Sequence, residues 1–195
     1  MTTIATDGKT IAADGRRTER SFIVDDTTEK IFVRHGRIYA VSGGSAARDA
    51  LIAWHHAGAD PTKVPPVRDE HGWSMLVIDG DGLHSLCNSA PYQEKNPAPE
   101  AIGSGADLAL AAMLLGKTPA EAVAFAATRD VYTGGAIQVI DIATALGRVD
   151  AEVVQTPAER TSAFLDGLIK KRDSIAAMIA TVQPLPETLS EAAQS

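Results

Sequence analysis

A single cysteine, Cys87, stands in the 195-residue chain, and one thiol excludes an internal disulfide. Its place in the run LHSLCNSA reads as a strand position, not a reactive thiol. No apolar run approaches the roughly 20 residues that span a bilayer. The start of the chain is polar with charges throughout, so neither a membrane anchor nor a secretory signal is expected and the cytoplasm is the default location. A net charge of -7 without a clustered Lys/Arg stripe argues against nucleic acid as the main partner. The sequence has no glycine-rich phosphate loop of either standard spacing, no internal repeat and no low-complexity core.

Metal-ligand spacing is equally scarce. His55 and His56 fall on a predicted helix, where neighbours in sequence point about 100° apart and share no metal site. Asp79-Gly80-Asp81-Gly82 lacks the twelve-residue calcium-loop pattern and reads as a hairpin turn. Asp166, Lys170 and Lys171 read as a solvated helix face. No metal and no cofactor is expected.

What is present is ordinary for one well-cored globular domain, 45% hydrophobic and 22% charged. Residues 2 to 14 read as a β-hairpin around Asp7-Gly8-Lys9, followed by the strand-like runs SFIV and KIFVRHGRIYAVSG, the latter turning at His35-Gly36. SAARDALIAWHHA (45–57) has near-helical spacing and ends at Gly58. A proline-rich loop (60–68), a hairpin of WSMLVID and GLHSLCN, and a polar connector (91–100) come next. The segment 105–115, apolar nearly all round, suggests a helix buried between layers. Thr118-Pro119-Ala120-Glu121 is a capping box opening a further helix. DVYTGGAIQVIDI reads as a strand pair or a bulged strand broken at Gly134-Gly135. The same capping pattern at Thr156-Pro157-Ala158-Glu159 opens a last helix, leaving a tail poor in large apolar groups. The expected organisation is a domain over 1–155, a C-terminal helix over 156–182 packed on the domain or on a neighbour, and a flexible tail over 183–195. Helices grouped between blocks of antiparallel strands favour a layered α+β sandwich over a parallel sheet.

Chemistry gathers where small or polar residues interrupt apolar strand ends: Thr2, Asp14 closing AAD, Lys30 in EKI, SGGS at 42–45, GSG at 103–105 and RDVYTGG at 129–135. Taken singly, each has a structural reading as a turn, a solvated strand end or a strand-to-helix corner. Their order is another matter. TTIA followed by AAD, a Lys-Ile sixteen residues after that Asp, SGGSAARD, AIGSGADLALAA and RDVYTGG together resemble the N-terminal threonine peptidases of the proteasome β-subunit and HslV group. The agreement spans residues 2–142, of a bacterial or phage proteasome-like type. AIGSG with its small-residue helix looks most like HslV, and RDVYTGG most like archaeal and eukaryotic proteasome β-subunits.

The resemblance implies a four-layer αββα sandwich of two antiparallel sheets, the N-terminal nucleophile (Ntn) hydrolase fold. It places the nucleophile on Thr2 after loss of Met1, a carboxylate and lysine pair on Asp14 and Lys30, and the oxyanion-hole N–H on Gly43. It puts Ser104 beside the terminal amine with the Gly105 backbone next to it, and Asp130 with Thr133 completing that network. Thr18 matches the residue whose backbone pairs with an extended substrate, and Val41 with Ser45 match part of the primary specificity pocket. It also implies stacked homo-oligomeric rings, hexameric or heptameric, acting on peptide or unfolded protein, with an ATP-dependent unfoldase as a candidate partner.

The same residues make chemical sense. A threonine hydroxyl needs a base, and an α-amine with a reference pKa of about 7.7–8.0 is near the working pH. A cationic Lys30 nearby disfavours the protonated amine, and Asp14 holds Lys30 in place. The scheme requires Met1 to be trimmed, because the nitrogen of an internal Thr2 is an amide. Arg16 and Arg17, ahead of Thr18, suggest a preference for acidic or polar substrate side chains. Rival readings are a small-molecule Ntn amidase and a noncatalytic assembly protein that keeps Met1.

Overall fold

The computed structural model describes residues 2–147 apart from Arg20, Gly44, 68–71, 90 and 92–93; the side chain of Ser45 is likewise outside the description. The second capping pattern, the helix expected over 156–182 and the tail over 183–195 lie outside the described residues.

Two antiparallel sheets form the middle of the domain. The first has the order β10-β1-β2-β11 and contains β1 (Thr3–Thr6), β2 (Thr10–Asp14), β10 (Glu100–Gly103) and β11 (Ile137–Asp141). The second has the order β5-β6-β7-β8-β9 and contains β5 (Ile31–Arg34), β6 (Arg37–Ser42), β7 (Ser74–Asp79), β8 (Gly82–Cys87) and the short β9 (Glu94–Lys95). A separate hairpin is made by β3 (Arg17–Glu19) and β4 (Phe22–Asp25).

Strand alternation sorts the apolar side chains into three cores. Ile4, Ile11 and Ala13 of the first sheet meet Ile31, Ile38, Ala40, Leu76 and Ile78 of the second, forming the core between the sheets. The intervening residues point outward. Ala5 and Ala12 pack under helices α2 (Ala106–Leu114) and α3 (Pro119–Ala126). Tyr39, Val41, Met75 and Val77 pack under α1 (Arg48–His56), where Leu51, Ile52 and Trp54 close the layer. The result is the expected four-layer αββα sandwich, with alanines on one outer sheet face letting two small-residue helices approach closely.

Most expected turns are present. Asp7 accepts from the N–H groups of Lys9 and Thr10 in the first hairpin, and Thr118 with Glu121 form the reciprocal capping box of α3. Cys87 is a strand residue, as expected, its thiol 3.2 Å from the Ser89 hydroxyl.

Three expectations are corrected. Helix α2 is an outer layer and not one buried between others: Ala109, Ala112 and Met113 face the sheet, while Leu114 and Leu115 lie at its far end, 70% and 86% exposed. The run DVYTGG is no strand. Asp130 accepts from the Tyr132 N–H and its carbonyl accepts from the Thr133 N–H, closing a turn, so β11 starts only at Ile137. After β11, Asp141 accepts from the Thr144 N–H and so caps α4 (Ile142–Gly147), which was not expected and whose Ile142 and Ala145 join the core between the sheets.

Leu76→Ala, at the centre of that core and fully buried, should cost about 2–5 kcal/mol in denaturant unfolding. Thr118→Ala, which removes the α3 cap, should cost only about 1 kcal/mol by the same measurement.

Candidate active site

The start of β1 lies beside the end of β2 and the end of β10, and the three strand ends bring most of the expected residues together. Thr3 pairs with Gly103, and Ile4 with Ala13. Thr2 is buried, with 5% exposure. Its carbonyl accepts from the Ser104 N–H at 2.8 Å. This close approach needs glycine at 103: with φ at +98°, its missing Cβ would overlap the Thr2 carbonyl.

Asp14, 1% exposed, is the hub of the site. Its Oδ1 accepts from the Thr3 N–H and from Lys30 Nζ, both at 2.8 Å. Its Oδ2 accepts from the N–H groups of Gly134 at 3.0 Å and Arg16 at 3.1 Å. Lys30, on the loop entering β5 of the other sheet, donates a second bond to the Arg16 carbonyl at 2.7 Å. Burial is the largest influence on the Lys30 pKa and pushes it down; the charge and hydrogen bond of Asp14 push it up, the nearby Arg16 cation adds to the lowering, and the net shift is downward.

A second chain of bonds approaches Thr3 from the opposite side. Ser104 and Thr133 hydroxyls donate to Asp130 Oδ2 at 2.6 and 2.5 Å. Burial pushes the Asp130 carboxyl up, but these hydroxyls and the Tyr132 N–H outweigh it, so its pKa lies below the ordinary carboxylate value. An ionised carboxylate only accepts, which fixes the direction of the rest. Thr133 spends its single proton on Asp130, so the 2.5 Å contact between Thr133 and Thr3 hydroxyls has Thr3 as donor. The Thr3 oxygen in turn accepts from the Gly105 N–H at 3.1 Å. Ser104 likewise has one proton, committed to Asp130, so its 3.5 Å approach to the Thr2 carbonyl is the weaker contact.

Gly43 closes β6 with φ at +74°, backed against Gly72, whose carbonyl a Cβ at 43 would overlap. Thr18 lies half-buried in β3, opposite Ile23. Val41 is buried in the core under α1, and Ser45 begins a short 3-10 turn ahead of that helix. Asp14, Lys30, Ser104, Asp130 and Thr133 thus join one hydrogen-bonded set around Thr2 and Thr3. Val41 touches that set only through its backbone N–H, which donates to the Lys30 carbonyl at 3.2 Å; Gly43, Thr18 and Ser45 lie in neighbouring segments outside it.

Three participants were missed in the sequence. Thr3 carries the contacts that fix the strand end, and its signal was the doubled threonine behind Met1. Arg16 donates its N–H to Asp14 and gives its carbonyl to Lys30, and its guanidinium pairs with Asp26 at 2.9 Å. Arg17 also acts on an acid: the Asp25 carboxyl is held at about 2 by the Thr28 and Thr27 hydroxyls, with the Arg17 charge contributing. Both arginines therefore have acidic neighbours on β4 and the turn after it, which weakens the case for them as readers of acidic substrate groups. Gln138 is the third, bonded to the backbone of Lys30 and Ile31.

The two facing antiparallel sheets, with two helices outside one and one helix outside the other, make a four-layer α+β sandwich. Solved structures agree. The chain is similar to the eukaryotic HslV from Trypanosoma brucei, at 16% identity with a TM-score of 0.55, over 71% of this chain and 97% of that one. It is also similar to the Thiobacillus denitrificans protein designated BPH, at 20% identity with a TM-score of 0.53, over 72% of this chain and 97% of that one. No protein-family model matches the chain, and no curated protein matches it by sequence. The likeness to HslV is one of fold.

Asp14→Asn should destabilise the protein by about 3–5 kcal/mol in thermal or denaturant unfolding, because it leaves Lys30 buried without its counter-charge; Lys30→Met added to it should recover much of the loss. For Asp130 the lowered pKa means a stabilising contribution that is complete above the ordinary carboxylate pKa and is lost as pH falls through the lower folded value. Asp130→Asn should therefore flatten the fall in Tm below about pH 4.

Proposed function

We propose that the chain is an N-terminal threonine endopeptidase of the proteasome and HslV kind, with Thr2 as nucleophile once its α-amine is released. The observation that carries this reading is the buried Asp14–Lys30 pair at 2.8 Å, fastened to Thr3 on one side while the Asp130 chain fastens Thr3 on the other. Such a pair, nine-tenths buried, is a costly way to hold a strand end. Its cost is intelligible if the cation is needed beside an amine.

In the proposed reaction the Thr2 amine accepts the proton from the Thr2 hydroxyl as Oγ attacks a peptide carbonyl carbon. The Gly43 N–H stabilises the oxyanion, a donor of a kind typically worth about 3–4 kcal/mol in the transition state. The C–N bond breaks, the proton passes to the leaving amine, and an ester links Thr2 to the acyl fragment. Water, deprotonated by the same amine, hydrolyses that ester and restores the hydroxyl. Lys30 keeps the amine unprotonated near neutrality by charge repulsion, Asp14 orients Lys30, and Ser104 with Asp130 and Thr133 hold the chain end. Thr18 offers backbone pairing to an extended substrate, and Val41 and Ser45 border the primary specificity pocket. Peptide or unfolded protein is the substrate class, no cofactor takes part, and the working form is a homo-oligomer of stacked hexameric or heptameric rings in the cytoplasm, with an ATP-dependent unfoldase as candidate partner.

Hydrolysis of a fluorogenic peptide panel tests this. The processed chain should cleave peptides, and Thr2→Ala should lower kcat by about three orders of magnitude or more with the fold intact by circular dichroism. Turnover of small amides without peptides would make it an amidase, and a folded chain inert to both would make it a scaffold.

A further inference from the structure

Among the described residues β5 is the edge strand of its sheet, and no described strand pairs with the outward N–H and C=O groups of Ile31. A side chain from the other sheet takes that place. In β11 the exposed positions Ile137, Val139 and Asp141 alternate with Gln138 and Ile140, which turn inward. Gln138 lies opposite Ala13, and its neighbour Ile137 lies opposite Asp14. From there its Oε1 accepts from the N–H groups of both Lys30 and Ile31 at 3.1 Å, and its Nε2 donates to the Ile31 carbonyl at 2.8 Å. The flat amide thus acts as one residue of a missing strand, acceptor at one end and donor at the other.

Lys30 is consequently held at four points. Its Nζ donates to Asp14 and to the Arg16 carbonyl, its carbonyl accepts from the Val41 N–H at 3.2 Å, and its N–H donates to Gln138. Three of those partners fix the charged tip or the link to β6. Gln138 is the one that ties the lysine backbone to the sheet carrying Asp14.

We propose that Gln138 is a positioning residue for Lys30, setting where the lysine cation stands relative to the Thr2 amine. This rests on the peptidase reading above. Losing the amide contacts lets the start of β5 shift against β2, and a displacement near 1 Å at a reacting centre can cost about 100-fold in rate. The charges that face Lys30 are Asp14 from β2 and Arg16 just beyond it, the latter neutralised by Asp26, and the substitution changes none of them.

The test is Gln138→Met, which keeps length and apolar volume, with Gln138→Asn as the second variant should the first fail to accumulate folded. The second-order rate of Thr2 labelling by a β-lactone electrophile is followed from about pH 5 to 9. A cation near the amine lowers the amine pKa, so a displaced Lys30 lets it rise. The acid limb of the labelling profile should therefore move to higher pH by about half a unit or more, and the plateau rate should fall by about 10- to 100-fold. The midpoint does not depend on how much of the sample is folded. A lower Tm with an unchanged midpoint makes Gln138 structural only and overturns the inference. A wild-type chain, Met1 removed, that takes no label at Thr2 overturns the peptidase reading and this inference with it; a wild type that labels beside a variant with the wild-type profile overturns the inference alone.

Discussion

The site depends on satisfying one buried carboxylate. Asp14 accepts four hydrogen bonds, from Thr3, Lys30, Arg16 and Gly134, and each ties a different segment to the end of β2. A carboxylate removed from water is stable only when its lone pairs are filled. That requirement dictates the surroundings: a strand partner presenting its N–H, a lysine from the second sheet, and a glycine turn close enough to donate. Gly15, whose missing Cβ would lie within 2.5 Å of the Asp26 carbonyl, makes room for that convergence.

The sandwich supplies the geometry at small cost. Core side chains alternate inward and outward along every central strand, so the middle of each strand packs while its end is left for polar work. Thr2, Asp14, Gly43 and Ser104 all stand at or just beyond strand ends. The hydrogen-bond chain from Thr3 through Thr133 to Asp130 has one direction, imposed by an acceptor-only terminus. Thr3 is therefore gripped by backbone and side chain at once, and Thr2 beside it inherits a fixed position. Pre-set geometry of this sort suits the role proposed for Thr2, because a chain end otherwise frays.

Much of this was readable in the residues. The hairpin over residues 2–14 follows from Asp7-Gly8-Lys9 between apolar runs, and the α3 start from its capping box. Asp14, Lys30, Ser104, Asp130 and Thr133 stand in stretches where small or polar residues break the apolar pattern, but each stretch alone reads as a turn or strand end, and the family resemblance carried by their order singled them out. What escaped was set by tertiary contact. The DVYTGG run has β-type residues, yet Asp130 closes it into a turn by bonding Tyr132 and Thr133. Helix α4 had a local signal, Asp141 three residues before Thr144, that the strand pattern running into it obscured. Helix α2 reads as apolar all round, but only Ala109, Ala112 and Met113 are fully covered, with Leu108 and Leu110 partly so and Leu114 left exposed. Gln138 looked like one polar residue in an alternating strand, since nothing local tells that it bonds residues more than a hundred positions earlier.

In the proposed reaction Thr2 bears a free amine beside its hydroxyl. Asp14, paired with Lys30, and the Asp130 chain bond the backbone and hydroxyl of Thr3 next to it, and an amide nitrogen at Thr2 cannot act as a base. Intact-mass analysis after treatment with a threonine-directed electrophile tests this role most directly. A threonine peptidase should give a chain lacking Met1 that carries one adduct, absent in Thr2→Ala; a folded chain that keeps Met1 and takes no label would overturn the role proposed for Thr2.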